Sequence, residues 1–108
     1  MSYTVVETKA DLGEKLSSAG DQLVVIDFGA VWCGPCKDCE PTFKRLADKY
    51  SGEVMFLKVD VDDNDEAAAE YDISNLPTFL FIRGGQVLQR LTGFMTYDKL
   101  HEAVEAHK

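Results

Sequence analysis

The alternation of apolar and polar positions along the chain predicts strands that are separated by helices. Five runs have the composition of strands, and they cover Tyr3–Val6, Leu23–Trp32, Val54–Val61, Thr78–Arg83 and Gln86–Thr92. The second and third runs are apolar and rich in β-branched residues, as is typical of strands buried on both faces of a parallel sheet. The last two runs are separated only by Gly84 and Gly85, which predicts an antiparallel hairpin.

Helix signals occupy the segments that remain, at about residues 8–19, 34–50, 62–71 and 96–108. Thr8 and Asp11 resemble a capping box at the start of the first helix. The acidic stretch Asp62–Glu66 is expected to begin the third helix, because carboxylates are stabilised at the positive end of the helix dipole. Pro41 lies inside the second helix and should kink it. The order βαβαβαββα predicts an α/β fold, and 108 residues without a linker predict a single domain over 1–108.

Charge and hydropathy narrow the range of partners. The formal net charge is −8, which argues against a nucleic-acid partner and against binding to anionic membranes. Uninterrupted apolar runs such as Leu23–Ile26 are far too short to span a membrane, and no secretory signal pattern opens the chain. We therefore expect a cytoplasmic protein, in which a cluster of cysteines is more often catalytic or metal-binding than structural.

All three cysteines lie in the stretch VWCGPCKDCEP, residues 31–41. A Cys-x-x-Cys pair at a strand-to-helix turn indicates redox chemistry. The helix N-terminus favours a thiolate at Cys33, and the thiolate is the attacking species in disulfide exchange. Cys36 lies one helical turn further on, where it could attack a mixed disulfide and release the product. Gly34 permits the turn and Pro35 stiffens it.

These motifs together resemble the thioredoxin family. The hexad WCGPCK at residues 32–37 is similar to its active site, Val25–Phe28 to its preceding strand, and Asn75–Phe79 to its cis-proline loop. Leu57–Asp62 resembles the central strand in the form common among eukaryotic cytosolic members. Pro41, Gly84 and Gly93 match further family positions, so that the resemblance covers essentially the whole chain. It implies the thioredoxin fold, a central five-stranded mixed sheet flanked by four helices.

The resemblance also implies an activity. The reduced dithiol would reduce disulfides in other proteins, such as peroxiredoxins and ribonucleotide reductase, and NADPH-dependent thioredoxin reductase would regenerate it. No bound cofactor and no metal are implied, and we expect a monomer. A different hypothesis is a redox-switched binding module that regulates partners by docking. An oxidase or isomerase is a third, which the Gly34–Pro35 dipeptide disfavours.

Two ionisable residues interrupt the buried strands. Asp27 should have a raised pKa unless it is paired, and the resemblance implies that it lies beneath the resolving cysteine and assists its proton transfer. Lys58 interrupts the next buried strand, and adjacent strands could bring it close to Asp27. The alternative is that the two charges only compensate each other's burial.

The resemblance further implies a groove for an extended substrate peptide, formed by Trp32, Leu76, Pro77, Gly93 and Phe94. A cis bond before Pro77 would expose the Leu76 backbone for pairing with the substrate. Phe94 departs from the small or aliphatic residue usual in the family, which leaves the shape of the groove open. Gly29 often corresponds to a larger residue, and we interpret it as a local packing change.

The third cysteine, Cys39, has three interpretations. Residues three apart in a helix have Cα atoms roughly 5 Å apart and residues six apart roughly 10 Å, whereas a disulfide requires less than about 7 Å. Cys33–Cys39 is therefore implausible, and Cys36–Cys39 would strain a regular helix. Cys39 could be a small buried residue, a redox-regulatory thiol, or part of a zinc site of three cysteines, which lacks a fourth ligand in the sequence.

Overall fold

The computed structural model describes residues 2–108, and its elements follow the predicted order. The strands are β1 (Tyr3–Val5), β2 (Val24–Gly29), β3 (Met55–Asp60), β4 (Thr78–Arg83) and β5 (Gln86–Thr92). The helices are α1 (Lys9–Ala19), α2 (Gly34–Lys49), α3 (Asp65–Glu70) and α4 (Tyr97–His107). Over this part of the chain, none of the helices has the length and apolar character needed to cross a membrane.

The strands form one mixed sheet in the order β1-β3-β2-β4-β5. β3 pairs in parallel with both β1 and β2, whereas β4 is antiparallel to β2 and to β5. Gly84 and Gly85 have φ angles of 60° and 78°, which suits the tight turn of the predicted hairpin. The central position of β2 explains why its six residues are all buried and why its sequence does not alternate.

Helices cover both faces of the sheet and produce two apolar cores. One core joins α2 and α4 to one face and includes Val25, Cys39, Phe43, Phe56, Phe79, Phe81 and Val104. The other joins α1 and α3 to the opposite face and includes Leu12, Ile26, Phe28, Leu57, Val59, Ala67 and Leu80. Because side chains alternate along a strand, Asp27 shares the face of Val25 and lies under α2.

The second strand is shorter than predicted. β2 ends at Gly29, which pairs with Asp60, the last residue of β3. Beyond this point the chain has no neighbouring strand, so residues 30–33 turn away from the sheet although their composition is apolar. Trp32, predicted to end the strand, is 68% exposed.

The third helix begins three residues later than predicted. Asn64 is its N-cap, and its side chain accepts a hydrogen bond from the backbone N–H of Ala67 at 3.3 Å. The Asp60 carboxylate accepts a bond from the backbone N–H of Asp62 at 2.8 Å. This side-chain bond to the backbone competes with helix formation, so the start of the acidic stretch is a turn.

Candidate active site

The first helical turn of α2 carries the predicted cysteine pair. Cys33 is the N-cap residue and is disulfide-bonded to Cys36, with a Cα–Cα distance of 5.3 Å. The backbone N–H of Cys36 donates to the Cys33 sulfur at 3.2 Å. Gly34 and Pro35 lie exposed between the two cysteines. The predicted pairing is confirmed, and Cys39 is the free cysteine.

A cavity of about 200 Å³ opens beside Cys36. Its lining residues are Asp27, Gly29, Ala30, Val31, Cys36, Lys37, Glu40, Lys58 and Asp60. A Cβ atom at Gly29 would lie 3.3 Å from the Cys36 sulfur and 3.8 Å from the Asp27 Oδ1. The packing change that we expected at Gly29 is therefore the absence of a side chain between these two groups.

Asp27 has the environment that the sequence predicted. It is 3% exposed, and within residues 2–108 its Oδ1 has no hydrogen-bond partner. Burial raises the pKa of this carboxyl to about 7, although the Lys58 charge partly lowers it and the Glu40 charge adds to the increase. A carboxyl that titrates near neutral pH beside a sulfur can give or take a proton there.

Lys58 lies next to Asp27 in the sheet, but its ion pair is with another carboxylate. Asp27 and Lys58 are register partners on β2 and β3, which confirms their predicted proximity. The Lys58 ammonium binds Glu40 of α2. Within residues 2–108, Asp27 forms no ion pair. Glu40 is therefore a member of the site that the sequence interpretation missed. Its spacing was the available signal, since Cys36 and Glu40 are four residues apart and share a helix face.

Tyr3 completes a cluster of three side chains that we name the site triad: Tyr3, Glu40 and Lys58. The Tyr3 hydroxyl donates to Glu40 at 2.8 Å, and the Lys58 ammonium lies 5.9 Å from the Tyr3 ring centroid. Burial acts to raise the pKa of Glu40, but the hydrogen bonds from Lys58 and Tyr3 outweigh it and the pKa is lowered. The bond to Glu40 raises the pKa of Tyr3. Glu40 is thus held as an anion at the wall of the cavity.

Sheet register brings the predicted groove residues to the edge where the dithiol lies. Thr78 is opposite Phe28 near the end of β2 and opposite Thr92 at the end of β5. This register places Pro77 and Gly93 side by side, and the Gly93 N–H donates to the Pro77 carbonyl at 2.8 Å. The peptide bond before Pro77 is cis, as predicted.

The same edge exposes apolar surface and a free backbone segment. Phe94 is 55% exposed, and the exposed Trp32 ring is fixed by a bond from its indole N–H to Asp62 at 2.8 Å. Leu76 lies outside β4 and, within residues 2–108, makes no backbone hydrogen bond. These groups form a surface to which an extended chain could bind.

Cys39 is an interior residue of α2. It is 0% exposed, and the backbone N–H of Met95 donates to its sulfur at 3.4 Å. Burial raises the pKa of this thiol, against the lowering effect of the Met95 backbone. This environment favours the small buried residue among the three interpretations. As far as the described chain extends, no group of three or more His, Cys, Asp or Glu side chains is arranged to hold a metal ion.

Comparison with known proteins agrees with this geometry. A family model described as Thioredoxin matches residues 3–106. Thioredoxin-T of Drosophila melanogaster is 48% identical over 102 residues, which cover 94% of this chain and 64% of that protein. Thioredoxin of Equus caballus is 49% identical over 88 residues, which cover 82% of this chain and 83% of that protein. The X-ray structure of Fasciola hepatica thioredoxin superposes with a TM-score of 0.92 at 43% identity, covering 97% of this chain and 99% of that one.

Proposed function

This chain belongs to the thioredoxin family and is a protein-disulfide oxidoreductase, and from that premise we propose that Cys33 is its nucleophile and Cys36 its resolving thiol. The main support is the position of Cys33 at the N-cap of α2, where its sulfur accepts a hydrogen bond from the N–H of Cys36 at 3.2 Å. Backbone donors and the helix dipole at this position stabilise a thiolate. Cys36, by contrast, borders the cavity that contains Asp27.

The reaction proceeds by two exchanges at sulfur. The Cys33 thiolate attacks one sulfur of a substrate disulfide, forms a mixed disulfide and displaces the other substrate sulfur as a thiolate. Cys36 then gives its proton to Asp27, attacks the Cys33 sulfur and displaces the second substrate thiolate. Two electrons pass to the substrate, and the Cys33–Cys36 disulfide is left. Asp27 suits the proton transfer because its pKa of about 7 lies near neutral pH.

The groove binds the segment that flanks the substrate disulfide. An extended peptide pairs with the free backbone of Leu76 by strand addition, beside cis-Pro77 and Gly93. The exposed rings of Trp32 and Phe94 contact its side chains and shield the mixed disulfide from water. Phe94 supplies a larger apolar surface than the small or aliphatic residue usual at this position.

The family implies interaction with thioredoxin reductase and with disulfide-bonded proteins. We propose that NADPH supplies the electrons through that reductase, with no cofactor bound to this chain, and that the substrates include peroxiredoxins and ribonucleotide reductase. We further propose one domain over residues 1–108 that acts as a cytoplasmic monomer and binds neither nucleic acid nor membranes, in keeping with its net charge of −8.

The decisive experiment is the reduction of insulin by the Cys33→Ser variant with NADPH and thioredoxin reductase. Activity should fall to background, because a serine hydroxyl does not replace the thiolate in disulfide exchange. The control is Cys39→Ser, which removes the free, buried cysteine and should retain insulin reduction. Retention of activity by Cys33→Ser would contradict the proposed roles.

Docking without exchange is a second candidate, which the exposed apolar rings beside the dithiol favour. It is tested by comparing the capture of disulfide-bonded partners by Cys36→Ser with capture by the double variant Cys33→Ser/Cys36→Ser. The single variant should trap partners covalently as mixed disulfides. Equal capture by the double variant would favour docking over exchange.

A further inference from the structure

We propose that Glu40 is a positioning residue, which binds the Lys58 ammonium on the α2 side of the cavity and so withholds it from the Asp27 carboxyl. Through Lys58, Glu40 acts on the ionisation of Asp27. Only its consequence for substrate release rests on the proposed proton transfer between Asp27 and Cys36.

Lys58 has two carboxylates beside it and pairs with one. Asp27 is its register partner on the same face of the sheet, and Glu40 approaches the same face from α2. The ammonium pairs with Glu40, which leaves the Asp27 Oδ1 enclosed without a partner in the described chain. A lysine between two acids therefore neutralises the more accessible one.

The cost of burying charge explains this choice. Glu40 keeps 36% of its side chain exposed in the ion pair, whereas Asp27 is 3% exposed. An ion pair with Asp27 would bury a full negative charge and draw the ammonium inward, and desolvation opposes both steps. Tyr3 strengthens the outer position, because its hydroxyl bonds Glu40 and its ring faces the ammonium.

Among the groups around Asp27, Lys58 and Glu40 are the two whose charges change its pKa. The titratable or charged side chains that border its cavity or act on its charge are Tyr3 from β1, Lys58 and Asp60 from β3, and Cys36, Lys37, Cys39 and Glu40 from α2. From β4, the register partner of Asp27 is the apolar Phe79. Lys58 is the cation that lowers the pKa of Asp27, and Glu40 is the anion that raises it.

Removing the charge of Glu40 should therefore lower the pKa of Asp27 in two ways. The Glu40→Gln change abolishes a repulsion, and it frees Lys58 to turn toward Asp27. Both effects favour the carboxylate form of Asp27. The midpoint of its titration should fall below 7 by on the order of one pH unit, which is about a tenfold change in the acid-to-carboxylate ratio.

The experiment follows the side-chain carboxyl carbon of Asp27 by NMR across pH, in the reduced protein. The matched control is Glu105→Gln. Glu105 belongs to a second cluster of the same composition, which we name the remote triad: Tyr50, Glu105 and Lys108. Tyr50 follows Cys36 by 14 residues, so at the helical rise the remote triad lies about 20 Å from Cys36 along α2. Glu105→Gln should leave the Asp27 midpoint unchanged, and an unchanged midpoint in Glu40→Gln would overturn the proposal.

A double-mutant cycle separates positioning from simple repulsion. In a Lys58→Met background there is no ammonium to redirect, so Glu40→Gln should shift the Asp27 midpoint by clearly less than in the parent protein. Equal shifts in the two backgrounds would mean that Glu40 acts only through its own charge, which contradicts the positioning role. A loosening of packing that hydrates Asp27 would also lower its midpoint, but it would do so equally in the two backgrounds, so the cycle separates that effect from positioning as well.

The functional readout is the pH dependence of substrate release from the mixed disulfide. In Glu40→Gln the midpoint of this profile should move to lower pH together with the Asp27 titration. If the Asp27 titration moves and the release profile does not, Glu40 positions Lys58 as proposed and the proton transfer from Cys36 to Asp27 is wrong. If neither moves, the positioning role itself is wrong.

Discussion

The site triad and the remote triad contain the same three residue types in the same arrangement. In each, a tyrosine hydroxyl donates to a glutamate, and a lysine binds that glutamate. The lysine lies 5.9 Å from the tyrosine ring centroid in the site triad and 5.5 Å in the remote triad. Hydrogen bonds hold the pKa of the glutamate below its ordinary value in both.

The two triads differ in what lies behind them. Glu40 and Lys58 of the site triad line the cavity beside Cys36, of about 200 Å³, where the buried neighbour is Asp27. Lys108 of the remote triad borders a cavity of about 390 Å³ in which the buried neighbour is Leu23. A tyrosine, glutamate and lysine cluster is therefore not chemically special by itself. Such a cluster influences a reaction only where its lysine lies next to a buried acid such as Asp27.

The largest expected effect comes from removing that acid with Asp27→Asn. The folded-state pKa of about 7 lies above the ordinary value of 3.8, so the stability linked to this group is fully present below about pH 4 and is lost as pH rises through 7. The amide that replaces the carboxyl does not ionise. The variant should gain up to about 4 kcal/mol over the parent between pH 4 and pH 9, at about 1.4 kcal/mol per pKa unit.

Urea unfolding of both proteins at the two pH values measures this gain. The quantity of interest is the change in the stability difference between pH 4 and pH 9, because any packing effect of the amide cancels in it. Asp21→Asn makes the same chemical change at an exposed aspartate that lines the cavity beside the remote triad, and it controls for the substitution itself. A flat difference for Asp27→Asn would mean that burial does not penalise the carboxylate.

Much of the fold follows from the sequence because its determinants are local. The apolar runs of β2 and β3, the glycine pair of the hairpin, and the cap at Thr8 each specify an element within a few residues. The predicted bounds were wrong at the end of β2 and at the start of α3, where features other than the hydrophobic pattern decide. β2 ends where its partner β3 ends, and the Asp60 side chain keeps the start of the acidic stretch out of α3.

Some features of the site also follow from local sequence, and others depend on packing. The disulfide partners are set by helical spacing, and the neighbours Asp27 and Lys58 are visible as charges in apolar strands. The choice of Lys58 between two carboxylates depends on how deeply each is buried, which is a property of the packed molecule. The spacing of Glu40 from Cys36 indicates that it lies near the site, but its ion pair with Lys58 becomes visible only when β1, α2 and β3 are assembled.

A smaller effect is expected when each triad loses its tyrosine hydroxyl. Tyr3→Phe removes one hydrogen bond to the carboxylate of Glu40, which should cost about 1 to 2 kcal/mol of unfolding free energy, and Tyr50→Phe removes a bond of the same kind to Glu105. The two losses should be similar, because the bond is of the same kind. Only Tyr3→Phe should also alter the titration of Asp27, since it loosens the residue that holds Lys58. An altered titration in Tyr50→Phe would remove the distinction between the triads.

The smallest effect on stability is expected from the lysines. Lys58→Met keeps the apolar stem and removes a partly exposed ion pair, so at pH 5 it should cost less than about 1 kcal/mol. Lys108→Met removes two exposed ion pairs and should also have little effect. The titration of Asp27 separates them, because the Lys58 charge lowers the pKa of that carboxyl. NMR titration should place the Asp27 midpoint above 7 in Lys58→Met and leave it unchanged in Lys108→Met. If the midpoint stayed in place without Lys58, its ammonium would not act on Asp27, and the two triads would be equivalent surface pairs.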